Sequence, residues 1–191
     1  MFHNDNNKTY VIVAGVNGAG KSTFTARFSS ALPEIVIDPD RLAAECGSII
    51  TGGRKALEEI EHCIGSGVSF CQETTLSGRL TERTLRKVKS HGYRICMVYI
   101  GLDTAEDHIA RVADRVRKGG HYIPDEVIRR RFSERYAALE RVLPLCDYAE
   151  FYDNMNDFEL AAVYSYKTIR RTAEKYPEWL SEWSFPGVEE A

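Results

Sequence analysis

Short apolar runs alternate with longer amphipathic stretches along most of this chain. The run YVIVA at 10–14 is short, β-branched and closed by glycine, which predicts a buried strand. Residues 34–37, 68–74, 94–100 and 148–152 read as four further strands. Between them apolar positions recur at helical spacing. Helices are expected over 20–30, near 41–46, and over 51–64 with Ala56, Leu57, Ile60 and Ile64 on one stripe. Another spans 80–90 and stops before Gly92, and 105–118 carries Ile109, Val112, Ala113 and Val116 on one face. Pro124 opens a helix running to about residue 143, and 158–176 is expected to form a closing helix before a loose tail over 179–191 with an acidic end. Strands separated by helices pair in parallel through right-handed crossovers. The expected fold is α/β: an open, parallel, five-stranded sheet flanked by helices on both faces. The chain reads as one domain, with a core over about 8–154 and a C-terminal helix and tail over 155–191.

A length of 191 residues, 43% apolar and 28% charged, suits one soluble globular unit. The net charge of −3 supplies no basic field, so nucleic acid is not an expected partner. Residues 1–9 are polar and lack the cationic and apolar regions of a signal peptide, and the longest apolar run, 95–100, is too short to span a bilayer. A cytoplasmic protein without a membrane partner is expected. The five cysteines are odd in number and never form C-x-x-C, which argues against a disulfide framework or thiolate metal site. Cys71 and Cys96 fall in apolar strands and read as small buried thiols.

One motif narrows the chemistry. Gly15-Val16-Asn17-Gly18-Ala19-Gly20-Lys21-Ser22 matches G-x-x-x-x-G-K-[ST] between a strand and a helix. The glycines let successive backbone N–H groups curl around an anion, and the new helix adds its positive end. These residues and Thr23 are expected to bind ATP, Lys21 reaching the β- and γ-phosphates and Ser22 ligating Mg2+.

In open parallel sheets, ligands bind beyond the carboxyl ends of the strands. The second strand ends in Asp38-Pro39-Asp40, where Asp40 or Asp38 can accept a proton from an acceptor hydroxyl; Asp38 before Pro39 reads equally as a helix cap. The third ends in Glu73, placed to hold magnesium or to grip the acceptor, and Thr75, Ser77 and Arg79 follow it as substrate-binding candidates, with turn chemistry the alternative for Thr75 and Ser77. After the fourth, Arg111 and Arg115 share a helix face, Lys118-Gly119-Gly120-His121 resembles a hinge, and Arg129-Arg130-Arg131 follow. Such a set suits a lid that neutralises a transferring phosphoryl group. The alternative is a solvated face in which Asp107 and Asp114 partner Arg111 and Arg115. At most one or two of residues 129–131 can face one site, and His121 reads equally as a substrate contact or a turn residue.

Together the GVNGAGKS loop, IDPD, QETTLSGR, RVADRVRKGGHYIP, IRRRF and YDN resemble the zeta-toxin family of P-loop kinases, over roughly 8–154. That resemblance implies ATP-dependent phosphorylation of a small-molecule hydroxyl, in the best-studied members the sugar of UDP-N-acetylglucosamine. It implies Asp40 as general base, Glu73 and Thr75 as substrate-side acid and hydroxyl, and Arg111 or Arg115 as the transition-state arginine. It also leaves room for an antitoxin protein as partner. The chain is shorter than the well-studied toxins. Three other readings stay open. Leu76-Ser77-Gly78-Arg79 superficially resembles the signature of transport ATPases, which would make the chain an ATP-driven switch, but it follows the phosphate loop too soon. A polynucleotide 5′-hydroxyl kinase would suit the arginines and not the charge. A guanine-specific GTPase lacks its N-K-x-D.

Overall fold

The side-chain alternation of β1 (Thr9–Ala14) sets the positions of two cores. Tyr10, Ile12 and Ala14 point into one apolar layer, Val11 and Val13 into another, and all five are fully buried. In the computed structural model, which describes residues 7–184 and the backbone of 189–190, β1 is flanked by β3 (Phe70–Thr74) and β4 (Arg94–Gly101). β2 (Val36–Ile37) lies outside β3 and β5 (Tyr148–Asp153) outside β4, all parallel. The first layer is covered by α2 (Pro39–Cys46), α3 (Ile49–Ser66), α4 (Leu80–Ser90) and α7 (Arg135–Val142), through Leu42, Ile60, Leu85 and Leu139. The second is covered by α1 (Lys21–Arg27), through Phe24. A third, smaller cluster joins Val16 of the glycine loop to Val112 of α5 (Ala105–Arg117) and Ile128 of α6 (Asp125–Ser133). Burying an aliphatic chain of this size stabilises by about 1.5–3 kcal/mol, so α5 and α6 are held over the loop by packing as well as by polar bonds. Among the described residues no helix is long and apolar enough to cross a membrane.

The structure departs from expectation in four places. Among the described residues the sheet has eight strands, not five, in the order β2-β3-β1-β4-β5-β6-β7-β8. Residues 158–176 form no helix: β6 (Glu159–Ser165) and β7 (Thr168–Arg171) make an antiparallel hairpin on β5, and β8 (Glu189–Glu190) pairs with β7. Tyr166 (φ 50°) and Lys167 (φ 63°) close that hairpin, both in the left-handed region that a two-residue turn requires. The register slips where Ala162 faces Phe151 but Leu160 faces Tyr152, so Ala161 is the extra residue of a bulge. Adjacent Ala161 and Ala162 are therefore both buried, which removes the period-two signature of a strand.

The expected helix over 124–143 is split at Glu134 into α6 and α7 and ends in a 3₁₀ turn at Leu143–Leu145, with the Phe132 carbonyl taken by the Arg135 guanidinium at 2.7 Å. The tail is not loose where it is described, since α8 (Glu178–Ser181) buries Trp179 and Leu180. Its residues 185–188 and 191, like residues 1–6 of the polar start, lie outside the described residues.

Candidate active site

Parallel pairing of β1 with β3 and β4 brings the strand tips to one edge, where Ala14 is level with Thr74 and Tyr99. The glycine loop leaves β1 here, and its Gly15 N–H donates to the Thr74 carbonyl at 3.3 Å. Three of its glycines are irreplaceable on geometry: Gly15 has φ 148°, and a Cβ there would lie 2.4 Å from the Ile100 carbonyl oxygen. Gly18 has φ 85°, and a Cβ there would lie 2.5 Å from the His108 carbonyl oxygen; Gly20 has φ 103°, and a Cβ would lie 2.5 Å from Asn154 Nδ2. Gly15, Val16, Asn17 and Ala19 are buried and form the floor, while Gly18, Gly20, Lys21, Ser22 and Thr23 line an open cleft of about 710 Å³.

Lys21 lies across the loop, its ammonium donating to the carbonyls of Gly15 at 3.0 Å and Val16 at 3.4 Å. Partial burial lowers its pKa, opposed by the charges of Glu73, Asp40 and Asp38. Glu73, at the end of β3, is clasped by two hydroxyls of α1: Ser22 donates to one oxygen and Thr25 to the other, each at 2.7 Å. Burial pushes the Glu73 carboxyl up, helped by Asp38, while Thr25, Ser22 and Lys21 oppose it. A hydroxyl and a carboxylate joined beside a phosphate loop form an all-oxygen set, which suits magnesium, an ion that keeps several waters and takes few protein ligands.

The opposite wall comes from α2 and the α5–α6 unit. Asp38 is the N-cap of α2, accepting the Asp40 N–H at 2.9 Å, whereas Asp40 is exposed and lines the cleft. Arg111, Asp114, Arg115, Lys118, Gly119 and Gly120 complete that side. Neither arginine pairs with the acids expected as alternatives: Asp107 forms a capping box with Thr104, and Asp114 pairs with Arg117. Arg111 donates instead to the carbonyls of Asn154 and Met155, and Arg115 to that of His121 at 2.9 Å. Of the arginine triplet only Arg131 turns inward, to the Asn17 side chain; Arg129 pairs with Glu106 and Arg130 is exposed. The Nε groups of Arg115 and Arg131 are buried without a partner among the described residues.

The other candidates lie apart. Thr75 bonds Ser77 at 3.0 Å, Arg79 is exposed at the start of α4, and none of the three lines the main cleft. His121 is exposed and faces a neighbouring, mainly apolar hollow formed by Ala43, Ala44, Gly47, Ile49 and Ile50.

Sequence reading missed three contributors. Thr25 sits one turn after Ser22, a spacing that could have signalled its bond to Glu73. Asn154, after β5, donates from Nδ2 to the Ala19 carbonyl at 2.8 Å and lines the cleft with Arg27, Asn156, Asp157 and Phe158. His108, one turn before Arg111, is buried, with Nδ1 2.9 Å from the Asn17 carbonyl. A carbonyl only accepts, so Nδ1 carries the hydrogen.

Burial pushes the His108 pKa down to about 4. The unfolded imidazole, near 6.5, binds its proton at higher pH, so the stability this group supplies is complete above about pH 6.5 and is lost as pH falls towards about 4, by on the order of 3 kcal/mol. Melting curves at pH 7.5 and 5.0 should therefore diverge more for the parent than for His108→Gln. Equal divergence would remove His108 from the account.

Comparison with known proteins follows this geometry. No family model matches the chain. An uncharacterized protein of Haemophilus influenzae is 32% identical over 128 residues, covering 64% of this chain and 91% of that protein. Among solved structures, one from the PezAT chromosomal toxin–antitoxin system of Streptococcus pneumoniae superposes with a TM-score of 0.59 at 14% identity, over 82% of this chain and 72% of its own. The AvrRxo1-ORF1:ORF2 complex with ATP gives 0.60 at 17% identity, over 83% and 59%. A chain of the Pnkp1/Rnl/Hen1 RNA repair complex gives 0.56 at 16%, over 73% and 47%.

Proposed function

Because the chain belongs to the family of that Haemophilus influenzae protein and has a zeta-toxin-like P-loop kinase fold, we propose that it is an ATP-dependent phosphotransferase acting on the hydroxyl of a small molecule. One observation carries the reading: the Ser22–Glu73–Thr25 clasp, Lys21 and Asp40 meet the Arg111/Arg115 face around a single cleft. A phosphate loop alone would serve a switch equally well. A carboxylate on the far wall, free of any capping bond, is what a hydroxyl acceptor needs.

Lys21 and the loop amides would hold the β- and γ-phosphates, and Ser22 with Glu73 would hold magnesium. That ion, when bound, neutralises charge between the two phosphates. Asp40 takes the proton of the acceptor hydroxyl as its oxygen bonds to the γ-phosphorus, and the bond from that phosphorus to the bridging oxygen of ADP breaks. Arg111 and Arg115 line the cleft and offer guanidinium charge to the phosphoryl group as it transfers. Arg27 and Phe158 also line the cleft.

The resemblance of the sequence motifs to the zeta-toxin family supports a nucleotide sugar such as UDP-N-acetylglucosamine as acceptor, and the likeness to a structure from a toxin–antitoxin system supports a small antitoxin protein as partner. Incubating the purified protein with ATP, magnesium and a panel of acceptors (UDP-N-acetylglucosamine, free sugars, a 5′-hydroxyl oligonucleotide) should give a phosphorylated sugar nucleotide and ADP in equal amounts. ADP without any phosphorylated acceptor would establish a hydrolytic switch instead, and labelling of the oligonucleotide would establish polynucleotide repair chemistry.

A further inference from the structure

The turn after β5 is a hub. Within it, the Asn154 backbone N–H donates to the Gly101 carbonyl at 3.1 Å, the Asn154 side chain holds the Ala19 carbonyl of the phosphate loop, and the Asn154 and Met155 carbonyls receive Arg111. Its conformation therefore fixes one edge of the phosphate loop and one cleft arginine together. What fixes the turn comes from much further along the chain. Asp153 bridges it, one carboxylate oxygen accepting the Met155 N–H at 3.3 Å and the other the Trp179 indole N–H at 2.9 Å.

Trp179 is well anchored for that task. It is 1% exposed, its backbone N–H donates to Asp103 at 3.3 Å, and its carbonyl accepts from the Tyr136 hydroxyl. The indole lies against Gly101 so closely that a Cβ there would fall 2.3 Å from a ring atom. A buried indole needs a partner for its N–H, and a main-chain carbonyl would satisfy it. Here the partner is instead the carboxylate that shapes the nucleotide-side turn.

We propose that Trp179 is a positioning residue for nucleotide binding, acting through Asp153 to set the Asn154–Met155 turn and, with it, the phosphate loop and Arg111. The proposal rests on the reading of that loop as the ATP site and extends it to a C-terminal segment outside the strand-tip motifs. The indole touches neither phosphate nor acceptor, so its loss acts only through the turn, weakening ATP affinity through the phosphate loop and slowing the chemical step through Arg111.

Calorimetric titration with ATP and magnesium tests this. Trp179→Phe keeps an aromatic ring beside Gly101 but deletes the indole N–H together with part of the bicycle, so a second variant has to control for lost packing. Trp179→Phe should bind ATP about tenfold more weakly, the equivalent of one hydrogen bond to a charged group, and kcat at saturating ATP should fall as well, because the same turn holds Arg111. Asp153→Asn should weaken binding similarly, and the double variant no further than either alone. Leu180→Ala truncates the neighbouring buried side chain and leaves the Trp179–Asp153 bond, so it should lower the melting temperature and leave ATP affinity unchanged. Parent-like affinity in Trp179→Phe, or additive losses in the double variant, would overturn the proposal, as would weaker binding in Leu180→Ala. Failure of the parent protein to bind ATP would instead sink the phosphate-site reading beneath it.

Discussion

Asp40→Asn protein will bind ATP with the parent's affinity and transfer its γ-phosphoryl group about 10²–10⁴-fold more slowly, the usual worth of a positioned general base. The substitution is nearly isosteric, and the helix start does not depend on the Asp40 side chain. Asp38 supplies the cap by accepting the Asp40 backbone N–H, and Pro39 occupies the first turn. Removing the carboxylate therefore costs little structure. The charge of Asp40 acts on both Lys21 and Arg131, and Asp40 lines the same cleft as Lys21. An amide there can still accept a hydrogen bond from an acceptor alcohol and orient it, yet it cannot take the proton away. The defect should accordingly appear in kcat, with the acceptor KM little changed. Transfer from labelled ATP, measured beside calorimetric affinity, separates the two. A variant within about twofold of the parent in kcat would remove Asp40 from proton transfer and return attention to the acceptor's own ionisation.

The parts of this molecule legible in the sequence are those in which one local rule governs the residue. YVIVA followed by GVNGAGKS predicts a strand, a phosphate-binding turn and a helix, and β1, the Gly15–Ser22 loop and α1 occur in that order. Asp38 before Pro39 reads as a cap and forms one. Where two rules compete, the pattern misleads. Ala161 and Ala162 favour a helix by propensity, but the bulge opposite Phe151 buries both against the sheet, and the turn is closed by Tyr166 and Lys167 where asparagine and glycine would have announced it. Charge patterning failed similarly on α5. Asp107, spaced for a helical pair with Arg111, is taken by Thr104, and Arg111 is freed to hold the Asn154 turn. His108 and Asn154 were illegible for a different reason. Their roles depend on carbonyl groups of the phosphate loop, to which any side chain with an N–H or O–H can donate, so residue type alone does not reveal the role, even for Asn154 within the YDN motif.

Glu73→Gln should separate stability from activity most sharply. The carboxylate is 4% exposed at the end of β3, and its raised pKa means that the native state holds its proton where the unfolded chain has released it. By linkage, that mismatch costs stability as pH rises through the acidic range, so at neutral pH the ionised Glu73 is a burden on the fold. Glutamine removes the charge while keeping shape, and it still offers one oxygen to Ser22 or Thr25. The variant's melting temperature at neutral pH should be no lower than the parent's, and its advantage should shrink as pH falls towards the carboxylate range. Catalysis should move the other way. A neutral amide is a far weaker magnesium ligand than a carboxylate, and magnesium-dependent turnover should fall about 10³-fold, the scale of losing a main electrostatic contributor at a phosphoryl-transfer site. Thermal denaturation across pH, together with turnover titrated against magnesium, checks both halves. Were the variant destabilised and still active, Glu73 would be a structural bracket for α1 and would have no part in holding the metal.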